Sequence, residues 1–274
     1  MKRKICLAQI GFTPDLRQHI EKIKNIISDH SKADLIVFPE LILHGHPSVD
    51  KPEGYLYRQG KSFYKSVAND ADDLYQYIKE KKARVIIGEL KGGPGKFFNV
   101  ATYIDQDQIA HYRKTHVHWT ENFKAGRDLK VFDTAVGKIG PMICFDSAFM
   151  ETWRVITLKR ADIIVVISAT PASFDAEYIW KRLIGGAFFN QIFVVYVNRP
   201  GDFFSGHSAV IDPRGNVLVD AGKGETVIEC EIDLVEMKHW RREENIFENR
   251  RPLLYRDISR RHKIGMLSPE REKK

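Results

Sequence analysis

The sequence predicts an α/β fold, a layered domain built on mixed β-sheet with helices packed over it. Three observations carry that expectation. Apolar runs of strand length recur along the chain, segments with helical apolar spacing lie between several of them, and in the last third strands follow one another directly. With 274 residues, 43% hydrophobic and 29% charged, the composition is ordinary for a globular chain and sufficient for a large core, read as one domain over 1–274. Periodicity alone leaves the number of sheets open.

Ile5 to Ile10 reads as a strand, after which Thr13 offers an N-cap and Pro14 a first helical position. Leu16, Ile20, Ile23 and Ile27 recur at helical spacing and form one apolar face. Asp34 to Phe38 is a buried strand closed by Pro39. A second amphipathic helix is expected from about Phe63 to Lys82, with Phe63, Val67, Leu74 and Ile78 inward. Strands follow at Arg84–Gly88, Phe98–Ile104, Gln108–Tyr112 and Lys138–Ile143. Then come a helix near Phe149–Lys159, a strand at Asp162–Ile167, a helix over Phe174–Asn190 and a strand at Phe193–Val197. Ser208–Ile211 and Val217–Val219 flank the turn Asp212-Pro213-Arg214-Gly215, and Thr226–Ile232 closes the core.

Three cysteines, Cys6, Cys144 and Cys230, cannot all pair within one chain and show no CxxC spacing, so reduced thiols are expected. Cys6 and Cys230 sit in alternating apolar stretches and read as small buried residues. The first residues are charged without an apolar signal core, and no apolar run is long enough to span a bilayer, which points to a cytoplasmic protein with no membrane partner. The net charge of +7 is scattered, except for a locally basic stretch over 241–274, so nucleic acid is not the expected partner.

Three strands end at reactive side chains: Asp34–Phe38 at Glu40, Gln108–Tyr112 at Lys114, and Lys138–Ile143 at Cys144. Ligands in α/β sheets bind beyond the carboxyl ends of strands. A carboxylate, an ammonium and a thiol placed there have coherent chemistry. Glu40 takes the thiol proton, while Lys114 and the N-terminus of the helix after Cys144 favour the thiolate. Lys114 and the Phe145 backbone N–H hold an oxyanion, and Glu40 then protonates a departing amine and activates water. The opposing reading makes Cys144 a core residue, Glu40 a capping carboxylate and Lys114 a solvated turn residue.

At these residues the sequence resembles the nitrilase superfamily, the carbon–nitrogen hydrolases. The blocks are Phe38-Pro39-Glu40, Tyr112-Arg113-Lys114-Thr115-His116 and Gly140-Pro141-Met142-Ile143-Cys144-Phe145-Asp146, followed by Asn198-Arg199, Phe204 to Ser208, Ile211 to Gly215 and Asn249-Arg250-Arg251-Pro252. Each is weak alone; their order and spacing over nearly the whole chain are specific. The resemblance implies a Glu–Lys–Cys triad at Glu40, Lys114 and Cys144, with Glu121 as a second glutamate that helps place substrate and water. It implies a four-layer αββα sandwich with two mixed β-sheets, no cofactor, and a homodimer or higher homo-oligomer in which the basic segment from about 241 packs on a partner subunit. The implied activity is hydrolysis of a small amide with release of ammonia. N-carbamoyl amines and then nitriles are the alternatives, because Cys144-Phe145-Asp146 replaces the Cys-Trp-Glu usual in nitrilases.

Phe145, Ser168, Ala169, His118 and Phe203 are the candidates for substrate contact. The sequence departs from the family pattern at Ala148 and Met150, where an arginine and a proline are usual, and at Gly186 and Phe189, where an arginine and a glutamate are usual. His116 and His118 form an HxH pair, but no third ligand follows at a metal-binding spacing, so no metal is expected. His44 and His46 are read either as lining the pocket mouth or as an exposed loop. Gly92 to Lys96 and Gly60-Lys61-Ser62 lack P-loop spacing and are read as turns. A reading of a different class is a binding or assembly protein that keeps the same fold without catalysis and uses its basic tail on an acidic partner.

Overall fold

The computed structural model describes residues 1–46, 61–93 and 96–260, without the side chains of 61–70, 93 and 96. Twelve strands form two six-stranded mixed sheets. In the first half, β1 (Lys2–Gln9), α1 (Leu16–Asp29), β2 (Leu35–Val37), α2 (Lys61–Glu80), β3 (Val85–Gly93), β4 (Lys96–Ile104) and β5 (Ile109–Arg113) follow in order. In the second, β6 (Phe132–Thr134), β7 (Gly137–Ile143), α3 (Met150–Leu158), β8 (Ile163–Ser168), α4 (Ala176–Asn190), β9 (Phe193–Asn198), β10 (Ala209–Ile211) and β11 (Val217–Asp220) follow. The strand β12 (Thr226–Asp233) and the helix α5 (Leu234–Glu243) come last.

The sheets run β12-β1-β2-β3-β4-β5 and β6-β7-β8-β9-β10-β11. In both, neighbours pair antiparallel, parallel, parallel, antiparallel, antiparallel. The reason is the same in each half. A parallel pair needs a crossover, and the helices α1, α2, α3 and α4 supply the four crossovers. The chain therefore repeats its topology without repeating its sequence.

Layering follows from alternation along the strands. Ile5, Leu7, Leu35, Val37, Ile86, Ala101, Tyr103 and Tyr112 face the second sheet and join its buried strands in one cluster. Cys6, Ala8, Ile36, Val85 and Ile87 face the other way, against Ile20, Ile23 and Ile27 of α1 and Leu74 and Ile78 of α2. Helices α3 and α4 cover the outer face of the second sheet through Trp153, Ile156, Leu183 and Ala187. The arrangement is the four-layer αββα sandwich with two mixed sheets.

Several expectations are corrected. Asp15, and not Thr13, caps α1: its carboxylate accepts from the backbone N–H groups of Arg17 and Gln18 at 2.9 and 3.1 Å, so Pro14 lies before the helix. Aspartate reaches two orphan donors at once, which a threonine two residues earlier cannot do. The short strand β6 and the polar helix α5 carry too few apolar residues to show a period. Cys6 is fully buried, but Cys230 is only half-buried, because β12 is an edge strand. Gly60 lies outside the described residues, and Phe63 and Val67 fall in α2 with side chains that are not described, whereas Lys61 and Ser62 begin α2 rather than a turn. The basic segment begins on its own chain, with Arg241 donating to the carbonyl of Gln191 at 2.9 Å; residues 261–274 lie outside the described residues.

The departure at Gly186 has a packing cause. A Cβ there would stand 2.5 Å from the ring of Trp153, which is fully buried. Neighbouring Gly185 has nothing within 4 Å of the same position. We expect Gly186→Ala to lower stability by about 1–3 kcal/mol through overpacking, while Gly185→Ala leaves it unchanged or raises it by up to about 1 kcal/mol through helix propensity. Urea unfolding of the two variants checks the contrast.

Candidate active site

Glu40 is delivered by the end of β2. Phe38 N–H donates to the carbonyl of Ile86 and Gly88 N–H to that of Pro39, at 2.8 and 3.1 Å, which extends the pairing of β2 and β3 past the strand end. A Cβ at Gly88 would stand 2.3 Å from the Pro39 carbonyl oxygen and 2.6 Å from the Glu40 Cα, so only glycine permits this approach. Leu41 then turns the chain at φ 51°. The Glu40 side chain is buried, with Oε1 accepting from Asn99 Nδ2 at 2.7 Å and Lys114 Nζ at 2.8 Å, and Oε2 accepting from Ala169 N–H at 2.8 Å. Burial opposes its charge, yet the Lys114 ammonium, the nearby His46 and the hydrogen bonds from Lys114 and Asn99 prevail and hold its carboxyl below the usual range.

Lys114 lies one residue beyond β5. Alternation along that strand sends Arg113 outward and Tyr112 and Lys114 inward. Lys114 is 1% exposed, and its Nζ donates to Glu40 Oε1 and Glu121 Oε1, each at 2.8 Å. Its backbone is clamped by bonds from its N–H to the Asn99 carbonyl at 2.9 Å and from Gly126 N–H to its carbonyl at 2.7 Å. Glu121 is fixed in turn by the His118 N–H, which donates to Oε2 at 3.1 Å. Burial disfavours the ammonium, but Glu40, Cys144 and Glu121 outweigh it and raise the Lys114 pKa. Burial and the Glu40 charge raise Glu121 despite the same lysine.

Cys144 follows β7 at φ 44°, in the left-handed region that a side chain enters at a cost of roughly 1–2 kcal/mol. Asp146 holds that turn. It is fully buried, and its Oδ2 accepts from Ile143 N–H at 3.0 Å and from the Tyr112 hydroxyl at 2.9 Å. Its Oδ1 accepts from the Thr115 hydroxyl and the His116 N–H, each at 2.8 Å. One carboxylate thus ties the cysteine turn to the segment that carries Lys114. The residue after β7 opens a 3-10 turn over Cys144–Ala148, and the α-helix starts only at Met150. The expected α-helix N-terminus at the sulfur is therefore absent.

Lys114 favours the thiolate but is outweighed. The Cys144 thiol is pushed up to about 12, first by burial and then by the Glu40 charge; Lys114 and a hydrogen bond with Ser168 pull the other way without prevailing. With both carboxylates ionised the trio around the thiol carries one positive and two negative charges, which disfavours a further anion.

The remaining candidates divide. Ser168 is buried and bonds Cys144, and the Ala169 N–H is committed to Glu40. The Phe145 ring stands edge-on to His118, Trp119 and Phe149, at 4.9, 5.7 and 5.2 Å. Phe203 is 67% exposed; Phe204 is the buried partner, 6.0 Å from the ring of His46. His44 belongs to no exposed loop, since it is buried and its Nδ1 accepts from Leu90 N–H at 2.9 Å. His116 pairs with Asp146 at 3.0 Å and stacks on Phe149 at 4.0 Å. Among the described residues no group of three His, Cys, Asp or Glu side chains is arranged to hold a metal ion, and no helix is long and apolar enough to cross a membrane. Sequence reasoning missed Asn99, Tyr112, Gly88 and the role of Asp146. Tyr112, inside the lysine block, and Asp146, inside the cysteine block, left a signal; Asn99 and Gly88 left none.

The chain belongs to the carbon–nitrogen hydrolase family, whose model matches residues 4–242. It is 33% identical to a probable nitrilase of Schizosaccharomyces pombe, over 94% of this chain and 99% of that one. It is 28% identical to an (R)-stereoselective amidase of a Pseudomonas species, over 92% of each. Its fold superposes on a carbon–nitrogen hydrolase from Helicobacter pylori G27 with a TM-score of 0.84, covering 95% of this chain and 99% of that one at 23% identity. It is thus an enzyme of carbon–nitrogen bond hydrolysis.

The buried ions make a stability prediction. Lys114→Met leaves the buried Glu40 and the part-buried Glu121 without their cation and should cost about 3–5 kcal/mol, read by urea unfolding at pH 7. The depressed Glu40 pKa gives a second one. Its stabilisation is full above the ordinary carboxylate value of about 4.3 and is lost as pH falls through the lower folded value. The stability gap between wild type and Glu40→Gln should therefore be widest near neutrality and close in acid.

Proposed function

We propose that this enzyme hydrolyses a small amide through a thioester on Cys144, with ammonia leaving in the first step. One observation carries the reading. A buried lysine bonds the buried Glu40 and the part-buried Glu121 at 2.8 Å each, beside a thiol, and the two carboxylates are driven in opposite directions, Glu40 toward the charged form and Glu121 toward the neutral one. Carboxylates split in this way mark a base and a partner of different role.

Glu40 is the base. The thiol keeps its proton until attack, so proton transfer to Glu40 accompanies formation of the carbon–sulfur bond. The carbonyl oxygen becomes an oxyanion held by Lys114 and the Phe145 N–H. The same proton passes from Glu40 to the amine as the carbon–nitrogen bond breaks. Water then attacks the thioester, gives its proton to Glu40, and the thiol is reformed as the acid leaves. Glu121 positions substrate and water while restraining Lys114. The amidase relative supports this choice of substrate, and the aromatic group around Phe145 and His118 favours a small acyl part.

A homodimer through the α3–α4 face accompanies this reading. Met150, Phe189, Tyr255 and Ile258 line one hollow there and are all exposed, with Phe188 and Leu158 on the same two helices. Such contiguous apolar exposure marks an interaction surface.

Ammonia release from a panel of amides, N-carbamoyl compounds and nitriles tests the chemistry. Turnover should be strongest on an amide, vanish in Cys144→Ala and fall at least ~10²-fold in Lys114→Ala. An alanine variant with full turnover would sink the mechanism. Sedimentation should show a dimer that Phe189→Asp with Ile258→Asp converts to monomer.

A further inference from the structure

On the reverse side of β5 from Glu40 and Lys114 lies a second concavity of about 640 Å³. Its floor is the outer face of the first sheet at the β4–β5 edge, with Phe98, His111 and Arg113, and its rim is the segment 124–130, with Lys124, Arg127 and Lys130. The rim is pinned to the sheet, since Lys124 N–H donates to the Phe97 carbonyl at 2.8 Å and Gly126 N–H to the Lys114 carbonyl at 2.7 Å. The size falls within the range of small-ligand sites, about 300–1,000 Å³.

The charges there are unbalanced. Four cations, Arg113, Lys124, Arg127 and Lys130, line the cleft against the single carboxylate of Asp128. Among the described residues none of the four has an ion-pair partner or a side-chain hydrogen bond, in contrast to Lys2, Lys22, Lys138 and Lys181 elsewhere on the surface. Arg113 instead lies over the ring of Phe98, 4.3 Å from its centroid, which holds its guanidinium at the floor. A concave wall of one sign focuses its field into the cleft. His111 reports that field: burial first, then Lys91, Lys130 and Arg113, hold its ring down to about 4.

We propose that this cleft binds a small, multiply charged phosphate-bearing ligand, with Arg113, Arg127 and Lys130 taking the phosphate oxygens and Phe98 forming the apolar floor. Guanidinium groups present paired N–H donors that match phosphate oxygens, and the lysines add point charges. The ligand would sit one residue away along β5 from the lysine of the proposed catalytic group, on the opposite face.

Calorimetric titration of the full chain at about 50 mM salt with inorganic pyrophosphate and with ATP tests this, the pair separating bare polyphosphate from a nucleotide. Millimolar or tighter binding is expected, weakening with added salt. Arg127→Gln with Lys130→Gln should weaken it at least tenfold, while the exposed Lys238→Gln leaves it unchanged. Cys144→Ala should bind like wild type, so a failed amide mechanism and a failed anion site are separately visible. No binding of either anion at several millimolar, equal weakening in Lys238→Gln, or tighter binding of a short DNA duplex than of ATP would each overturn the proposal.

Discussion

A buried ammonium held between a buried and a part-buried carboxylate governs the architecture around it. Taking three ions out of water costs several kcal/mol for each, and only close, well-directed hydrogen bonds return that cost. Lys114 meets the requirement through Glu40 and Glu121, Glu40 through Asn99 and the Ala169 N–H, and Glu121 through the His118 N–H. Every element near the trio is therefore restrained. The end of β2 must pass close enough to β3 to need Gly88, and the chain after β5 must fold back so that Gly126 bonds the Lys114 carbonyl.

The same charge balance decides how the thiol reacts. A lone lysine beside a cysteine would lower its pKa, but this lysine is already shared by two carboxylates. Burial and the Glu40 charge hold the thiol pKa up, and in the proposed mechanism this makes Glu40 necessary to the attack itself. Asp146 supplies the positional counterpart. By accepting from Tyr112, Thr115, His116 and Ile143 it joins the second sheet's cysteine turn to the first sheet's lysine segment. It also holds the left-handed backbone of Cys144.

The repeated topology explains why the reactive residues meet. Each half places the carboxyl ends of its parallel strands at one edge, and packing the two sheets face to face brings the end of β2 opposite the ends of β7 and β8. The crossover helices cover the outer face of each sheet with their apolar sides, which leaves the inner faces to pack on one another. Gly186 and Trp153 show the same logic in α3 and α4, where a missing side chain makes room for a large one.

Much of this was legible before any coordinates. Alternation and helical spacing located eleven strands and four helices, because those signals are local and strong at buried positions such as Ile23, Val165 and Leu183. The strand ends at Glu40, Lys114 and Cys144 pointed to one crevice. What stayed hidden was non-local. Asn99 reads as any polar residue in a strand until β4 is seen beside Lys114, and β6 and α5 bury too little apolar surface to show a period. Asp15 outdid Thr13 as a cap through reach alone. The amino-acid sequence by itself determined most strands, the four crossover helices and the identities of the charged groups, while periodicity left the number of sheets open. Tertiary structure alone decided their protonation states, because a pKa depends on burial and on charges brought near from distant parts of the chain, and it alone set the unpaired cations of the β5 edge around one hollow.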